Sequence, residues 1–148
     1  MYIFTFKYLT YFDMSNSPNI VSTNPFSDLN QGRLKTFIAN NCKSLQWTPD
    51  LHYRGRNDNS SKLTSISFKN CTNLKYVRSI EMYHGGGATG LNLTNNKGVF
   101  EGCLNIEEFN FDYDVLVSSI NFKPYTKLRK ITGNLIMDYT SYNESQFY

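Results

Sequence analysis

Four carboxylates lie close together in EEFNFDYD, and paired carboxylates are the groups that perform glycoside hydrolysis. Glu107 and Glu108 begin this stretch, and Asp112 and Asp114 end it. In an extended strand alternate residues share a face, so Asp112 and Asp114 are expected side by side. Such a pair is typical of a glycoside hydrolase when the two carboxylates have the required separation across a cleft. Two carboxylates on one face also bind a cation. The same spacing is also typical of solvated charges on a strand.

A glycine-rich segment, HGGGATG at residues 84–90, has the composition of a phosphate-binding loop. A P-loop continues with glycine, lysine and serine or threonine, and then with a helix. Here Leu91 and Asn92 follow, and the next lysine is Lys97. The segment therefore predicts a loop between structural units rather than a nucleotide site, and we expect no cofactor.

The three cysteines, Cys42, Cys71 and Cys103, do not form a disulfide or zinc pattern. Their number is odd, their spacing is wide, and neither His52 nor His84 has a cysteine at zinc-ligand spacing. Cysteine is among the most often buried residue types and packs as a small apolar side chain. We therefore expect three core cysteines and no metal ligand.

Aromatic residues beyond those needed for a core are the remaining candidates for binding. They make up 16% of the chain. Tyrosine, tryptophan and arginine are favoured at the energetic centres of interfaces. Surplus rings outside the apolar pattern described below therefore predict a contact surface for a partner. These residues are Trp47, Tyr53, Tyr76, Tyr83, Tyr113 and Tyr139.

The elements that must position these residues are visible in a repeated apolar pattern. LTSISFKNCTNLKYV (63–77) has apolar residues at 63, 66, 68, 71, 74 and 77. LKTFIANNCKSLQW (34–47) and VSSINFKPYTKLRKI (117–131) occupy the same slots without a gap. Spacing by two indicates a strand, and spacing by three indicates a turning chain that keeps one residue inside. Such units bury their apolar edges by stacking on one another.

A fourth copy, VFEGCLNIEEFNF, is degenerate. Its Cys103, Ile106 and Phe109 match positions 71, 74 and 77. The same run also fits the start of a next unit, with Ile106, Phe109 and Phe111 in the slots of positions 63, 66 and 68. With only two alanines, Ala39 and Ala88, long helices are poorly supported.

The patterns LxxIxFxNCxxLxxV and VFEGCLNIEEFNF resemble leucine-rich repeats of the BspA-like (Treponema-type) subclass, whose repeats have about 23 residues. The subclass core reads F-x-x-C-x-x-L-x-x-I-x-I/L. The resemblance covers residues 34–131, with irregular spacing, Tyr125 in a cysteine position and almost no IGxxAF segment. It implies an α/β or mainly β solenoid. That fold is a right-handed coil with a short-stranded parallel sheet on one face and irregular or 3₁₀ turns on the other.

The predicted organisation is a single domain over residues 1–148. Residues 1–33 are expected to form an N-terminal cap and loop, 34–131 the degenerate repeats, and 132–148 a C-terminal cap. The stretches 52–61 and 84–98 are expected to be loops. Open sheet edges at the ends of such a stack favour self-association.

Charge and hydropathy exclude several classes of protein. The net charge is +3, and the densest basic run, at residues 123–130, is interpreted as a solvated face rather than a nucleic-acid site. No stretch approaches the roughly 18 apolar residues of a membrane span. The start, MYIFTFKYLTYF, lacks the basic region and cleavage site of a secretory signal. An extracellular surface or a virion is nevertheless favoured over the cytoplasm.

The resemblance implies a non-enzymatic interaction or structural module with a protein or glycan partner, in adhesion, host contact or virion assembly. A phage or bacterial surface is the expected setting. Two alternatives stay open at this point. The chain is a carbohydrate-active hydrolase that uses the acidic pair, or it is a fragment of a longer repeat protein.

Overall fold

The backbone is built from short β-strands. The computed structural model describes residues 8–22, 34–49, 63–78, 80, 82–84, 87–89, 98–116 and 121–136, with the backbone alone for 82–84, 87–89, 112–116 and 134–136. Its strands are β1 (Tyr11–Asp13), β2 (Thr36–Ile38), β3 (Ser65–Ser67), β4 (Tyr76–Val77), β5 (Met82–His84), β6 (Gly87–Thr89), β7 (Glu108–Leu116) and β8 (Lys130–Ile136). No helix occurs among these residues, in agreement with the scarcity of alanine.

The first sheet stacks β1, β2 and β3 in parallel and in one-to-one register. Phe12 lies beside Phe37, and Phe37 lies beside Ile66. Side chains alternate along a strand, so the central residues of β2 and β3 point into the core while their neighbours face outward. This pairing confirms the predicted alignment of the segments that begin at residues 34 and 63.

The second sheet orders its strands β4, β7 and β8, and they are again parallel. Single bridges extend the same ladder from Tyr76 to Trp47 and from Trp47 to Ser22. The resemblance implies one parallel sheet with irregular turns opposite, so the second parallel sheet is a difference. Its physical reason is local, because Tyr76 and Val77, which follow the leucine slot, are strand-forming residues.

A register shift interrupts the second sheet between Phe111 and Val115 on β7. Phe111 pairs with Gly133, and the next pair joins Val115 to Leu135, so β7 has extra residues in this interval. Gly133 has a φ of 126°, and a Cβ there would overlap the carbonyl oxygen of Phe111. Glycine is therefore required at this close approach.

Strands β5 and β6 form a separate antiparallel hairpin in which His84 pairs with Gly87. Only Gly85 and Gly86 separate the two strands in the sequence, and glycine is favoured in two-residue hairpin turns. The loop predicted for residues 84–98 is therefore wrong for His84 and for β6, whose backbone is extended and paired.

The turn that follows each first-sheet strand repeats with the same backbone geometry. Asn16, Asn41 and Asn70 have φ angles of 61°, 58° and 58°, and asparagine is one of the few residues that adopt this left-handed conformation readily. We call these three residues the turn row. The main-chain amides of Asn41 and Asn70 each donate to a carbonyl of the following segment, at 2.8 and 2.7 Å.

The side chains of the turn row also bind one another. Asn41 Nδ2 donates to Asn16 Oδ1 at 3.1 Å, and Asn70 Nδ2 donates to Asn41 Oδ1 at 3.2 Å. Gly102, with a φ of 78°, occupies the next position. A Cβ on Gly102 would overlap Asn70 Oδ1. The row of hydrogen-bonded side-chain amides therefore ends at Asn70, and glycine occupies the next position.

The repeated apolar slots form one core, as the sequence predicts. Ring contacts connect successive segments, with centroid separations of 5.6 Å for Phe12–Phe37, 5.7 Å for Phe37–Phe68 and 5.7 Å for Phe68–Phe100. The two inward positions differ between segments, with Phe37 and Ala39 in one and Ile66 and Phe68 in the next. The buried apolar residues of the repeats are Leu34, Phe37, Ala39, Cys42, Leu45, Leu63, Ile66, Phe68, Cys71, Leu74, Val77, Val99, Phe100, Cys103, Ile106, Phe109 and Phe111.

The last segment follows the predicted register but is less buried. Phe122, Tyr125 and Leu128 are partly buried against the core, whereas Ile131 is 38% exposed. Ile131 pairs with Phe109 as predicted, but β8 ends the sheet in the described part of the chain, so little covers its outer side. Val117 and Ile120, which were assigned to the same copy, lie outside the described residues.

The two interpretations of VFEGCLNIEEFNF separate cleanly. Phe109 lies beside Val77 in the pairing of β4 with β7, which confirms the first alignment. The second alignment, which placed Phe109 in the slot of Ile66, is wrong. The chain at Phe109 and Phe111 forms a long strand of the second sheet instead of returning to the first.

Residues 11–22, which were predicted to belong to a cap and loop, form one further copy of the repeated pattern. Its β1 pairs with β2, Asn16 belongs to the turn row, and Ile20 packs against the core. FxMxxSxxI matches FxAxxCxxL at residues 37–45. Ser17 in the cysteine position concealed the match.

Candidate functional site

The outward face of the second sheet carries five residues in lateral register. Successive pairings join Ser22 to Trp47, Trp47 to Tyr76, Tyr76 to Glu108, and Glu108 to Lys130. We call these five residues the contact row. On β4 and β7 the next residue along the chain is buried in the core, so alternation turns the contact row outward.

An aromatic pair forms the centre of the contact row. The rings of Trp47 and Tyr76 stack with centroids 5.2 Å apart and an angle of 22° between their planes. Both side chains are partly buried, and a stacked pair contributes about 0.5–1.5 kcal/mol beyond its burial. The adjacent Thr48 is fully buried, and its hydroxyl oxygen accepts a 2.7 Å hydrogen bond from the Arg78 amide. The backbone beneath the pair is thereby fixed.

An ion-pair network lies beside the aromatic pair. Lys75 Nζ lies 3.4 Å from Glu107 Oε1, and Arg129 Nε donates to Glu107 Oε2 at 3.3 Å. Arg129 Nη2 also lies 2.6 Å from Glu108 Oε1. The hydrogen bond from Arg129 lowers the pKa of Glu107, and the same hydrogen bond raises the pKa of Arg129. Three successive segments are thus connected by alternating charges across the surface.

This geometry bears on the acidic residues proposed for hydrolysis. A general acid in glycoside hydrolysis needs a raised pKa, whereas the pKa of Glu107 is lowered. Glu108 is likewise paired with Arg129. For Asp112 and Asp114 the structure describes only the backbone, and the register shift that includes them breaks the strict alternation on which their common face was predicted.

The three cysteines occupy a repeated core position, as predicted. All three are fully buried. The thiols of Cys71 and Cys103 donate to the carbonyl oxygens of Ala39 and Phe68, each at 2.9 Å. Burial raises the pKa of Cys42, and the hydrogen bond with Cys71 together with burial raises the pKa of Cys103. The described residues contain no group of three or more potential metal-binding side chains.

The structure brings together two of the six aromatic residues predicted as partner contacts, Trp47 and Tyr76. Tyr83 lies on β5 and Tyr113 on β7, where only the backbone is described. The remaining two predicted contacts, Tyr53 and Tyr139, lie outside the described residues.

The ion-pair network was missed by sequence reasoning. Lys75, Glu107 and Arg129 each directly follow a residue of the leucine slot, so the repeat alignment itself contained the signal. Aligned residues of neighbouring strands lie close enough for opposite charges to pair.

Comparisons with protein-family models, with curated proteins and with solved structures found no match to this chain. Within the described residues no helix combines the length and apolarity that a membrane crossing requires. The geometry of the contact row therefore has to support any functional assignment.

Proposed function

We propose that the chain is a non-enzymatic interaction module of the leucine-rich-repeat type. Its segments stack as a right-handed solenoid, and the contact row with its ion-pair network binds a protein partner. The parallel pairing of both sheets, one-to-one throughout the first and up to Phe111 in the second, supports this stacking. The left-handed turn that recurs at Asn16, Asn41 and Asn70 supports it too, because equivalent turns place successive segments in equivalent positions.

The observation that carries the proposal is the partly exposed Trp47–Tyr76 stack on the outward side of a sheet. Tryptophan, tyrosine and arginine dominate binding energy at interfaces when a partner desolvates them. Here Arg129 lies in the ion-pair network of the same surface. Adhesion, host-surface contact or virion assembly are the settings that the repeat type suggests.

A protein partner is favoured over a glycan by the charges beside the rings. Trp47 and Tyr76 stack on each other, and the alternating charges of Lys75, Glu107 and Arg129 lie next to them. Protein side chains pack against aromatic rings and pair with such charges, whereas a neutral sugar offers no charge to pair with.

The test is a comparison of binding by wild type, Trp47→Ala and a matched control. Leu104→Ala is the control, because Leu104 is an exposed apolar side chain outside the contact row. The immobilised protein is screened against candidate host and virion protein fractions and a glycan array. The affinity of any purified binder is then measured for each variant. Circular dichroism and thermal unfolding confirm that each variant is folded.

We expect a protein binder whose affinity for Trp47→Ala falls about 30-fold, the equivalent of a 2 kcal/mol hot spot. Leu104→Ala should bind as wild type does. A binder held equally by all three proteins, a glycan as the only binder, or no binder in any fraction contradicts the proposal.

A further inference from the structure

The first and last described segments fill the repeated apolar slots with side chains that are less buried than those of the interior segments. We call residues 8–22 the head and residues 121–133 the tail. In the leucine slot, Leu45, Leu74 and Ile106 are fully buried, whereas Ile20 of the head and Leu128 of the tail are only partly buried. Each end therefore has partly exposed apolar side chains at positions that are fully buried in the interior segments.

Each end also carries apolar side chains that are exposed. Tyr8, Tyr11 and Val21 of the head are 72%, 54% and 44% exposed, and Ile131 of the tail is 38% exposed. In the described part of the chain β1 pairs only with β2, and β8 pairs only with β7. Both ends thus combine exposed apolar side chains with a terminal strand that has a described partner on one side only, and such strands are sites of strand addition.

The two ends are complementary in size at the cysteine position. This slot holds Ser17 in the head and Tyr125 in the tail, and cysteines between them. The tail therefore carries the largest side chain of the slot and the head one of the smallest. The ring of Tyr125 lies beside Phe109 with centroids 5.4 Å apart. Burial raises the pKa of its hydroxyl to about 12.

The two ends also differ in charge. The head contains one charged residue, Asp13. The tail contains Lys123, Lys127, Arg129 and Lys130 and no acidic residue, and all four side chains are exposed. Arg129 is paired with Glu107 and Glu108, so the three lysines carry the difference. A cationic tail and an anionic head attract each other, whereas two tails repel each other.

We propose that the head of one copy docks onto the tail of a second copy, so that the parallel stacking of segments continues across the junction. This inference rests on the proposed solenoid stacking. In the continued register, Val21 of one copy lies beside Arg129 of the next. A head-to-tail contact between identical chains is heterologous, so it adds copies one after another instead of pairing two copies symmetrically.

The experiment blocks each end separately in the full-length chain. Val21→Arg blocks the head, because it places a cation beside Arg129 across the junction. The double variant Lys123→Glu/Lys127→Glu blocks the tail by reversing two exposed charges. Leu104→Arg adds a charge away from both ends and serves as the control. Sedimentation velocity over a concentration series measures the species, and circular dichroism checks the fold of each variant.

We expect wild type and Leu104→Arg to form oligomers that grow with concentration and dissociate at high salt. Each blocked variant should self-associate at least about tenfold more weakly, a change of about 1.4 kcal/mol. It should therefore be monomeric at concentrations where wild type begins to form oligomers. An equimolar mixture of the two blocked variants retains one intact head and one intact tail. It should give 1:1 dimers and nothing larger.

Wild type that stays monomeric at every concentration overturns the inference. So does self-association of either blocked variant alone at wild-type strength, because that result indicates a symmetric contact. The proposed partner surface fails independently. If Trp47→Ala leaves partner binding unchanged while the oligomers persist, the contact row is refuted and the head-to-tail junction stands, and the reverse result refutes only the junction.

Discussion

The turn row and the contact row run through the same segments, yet their residues vary in opposite ways. The turn row has asparagine at three successive positions, with φ angles within 3° of one another. The contact row reads Ser22, Trp47, Tyr76, Glu108 and Lys130, with no residue type repeated. Backbone geometry restricts the first row, with its continuation at Gly102, to asparagine and glycine, and solvent exposure leaves the second row free to vary.

This difference separates positions that determine the fold from positions that are available for binding. A left-handed φ costs most residues about 1–2 kcal/mol, and asparagine and glycine tolerate it best. An outward position on a strand has no comparable restriction. Repetition therefore indicates how the segments are held, whereas variation within an otherwise regular repeat marks the surface for which we propose a binding role.

The largest expected effect comes from a slot immediately beneath the contact row. Leu74→Ala should lower the free energy of unfolding by about 2–5 kcal/mol, because it creates a cavity in a fully buried position. Tyr76→Ala, two residues away in the contact row, should cost less stability and weaken partner binding more. Urea unfolding and binding assays on both variants measure the two effects. Equal stability losses from the two variants would contradict the distinction between the rows.

A smaller effect is expected within the turn row itself. Asn41→Ala should cost about 1–2 kcal/mol, since alanine disfavours the left-handed φ and the side-chain bonds to Asn16 and Asn70 disappear. Asn41→Gly loses the same bonds but keeps the backbone conformation, so its cost should be lower. Urea unfolding of both variants separates the terms. A glycine variant as unstable as the alanine variant would assign the main role to the side-chain bonds.

The end of the turn row allows the repeat to be extended. Gly102→Ala should lose about 1 kcal/mol, because alanine must adopt a φ of 78° close to Asn70. Gly102→Asn should lose less, since asparagine tolerates this φ and its amide is able to bond to Asn70 after that side chain turns. Thermal unfolding ranks the two variants. The opposite ranking would show that the space beside Asn70, rather than the backbone angle, controls this position.

The smallest effect concerns the pH dependence of the ion-pair network. The pKa of Glu107 is lowered in the folded state, so its stabilising contribution is present above the unfolded-state value of about 4.3. That contribution is lost as the pH falls through the lower folded-state value. The stability difference between wild type and Glu107→Gln should therefore shrink on acidification. Urea unfolding at a series of pH values measures it, and a difference that grows in acid would refute the network.

Much of the fold follows from the sequence because the interior slots demand one class of residue. Leu34, Phe37 and Cys42 align with Leu63, Ile66 and Cys71 by apolarity alone, and strand pairing places them as expected. The copy at residues 11–22 was missed because Ser17 is polar. The second sheet was missed because its strand β4 is only two residues long, too short to show alternation.

The proposed contact surface was only partly predictable. The surplus of aromatic residues pointed to Trp47 and Tyr76, but nothing in local sequence indicated that their rings stack, because 29 residues separate them. The charges of Lys75, Glu107 and Arg129 looked scattered along the chain. They meet because parallel pairing brings residues from three segments together, and that proximity depends on register rather than on composition.

The intervals between the cysteine positions have a practical consequence for protein engineering. Residues 42, 71, 103 and 125 are separated by 29, 32 and 22 residues, yet the amides three residues later make equivalent bonds, from Leu45 to Cys42 and from Leu74 to Cys71 at 3.0 Å each. Segments of different length are therefore accommodated without altering these backbone hydrogen bonds. Insertions between residues 50 and 62 or between residues 90 and 97 of the sequence should therefore leave these hydrogen bonds unchanged.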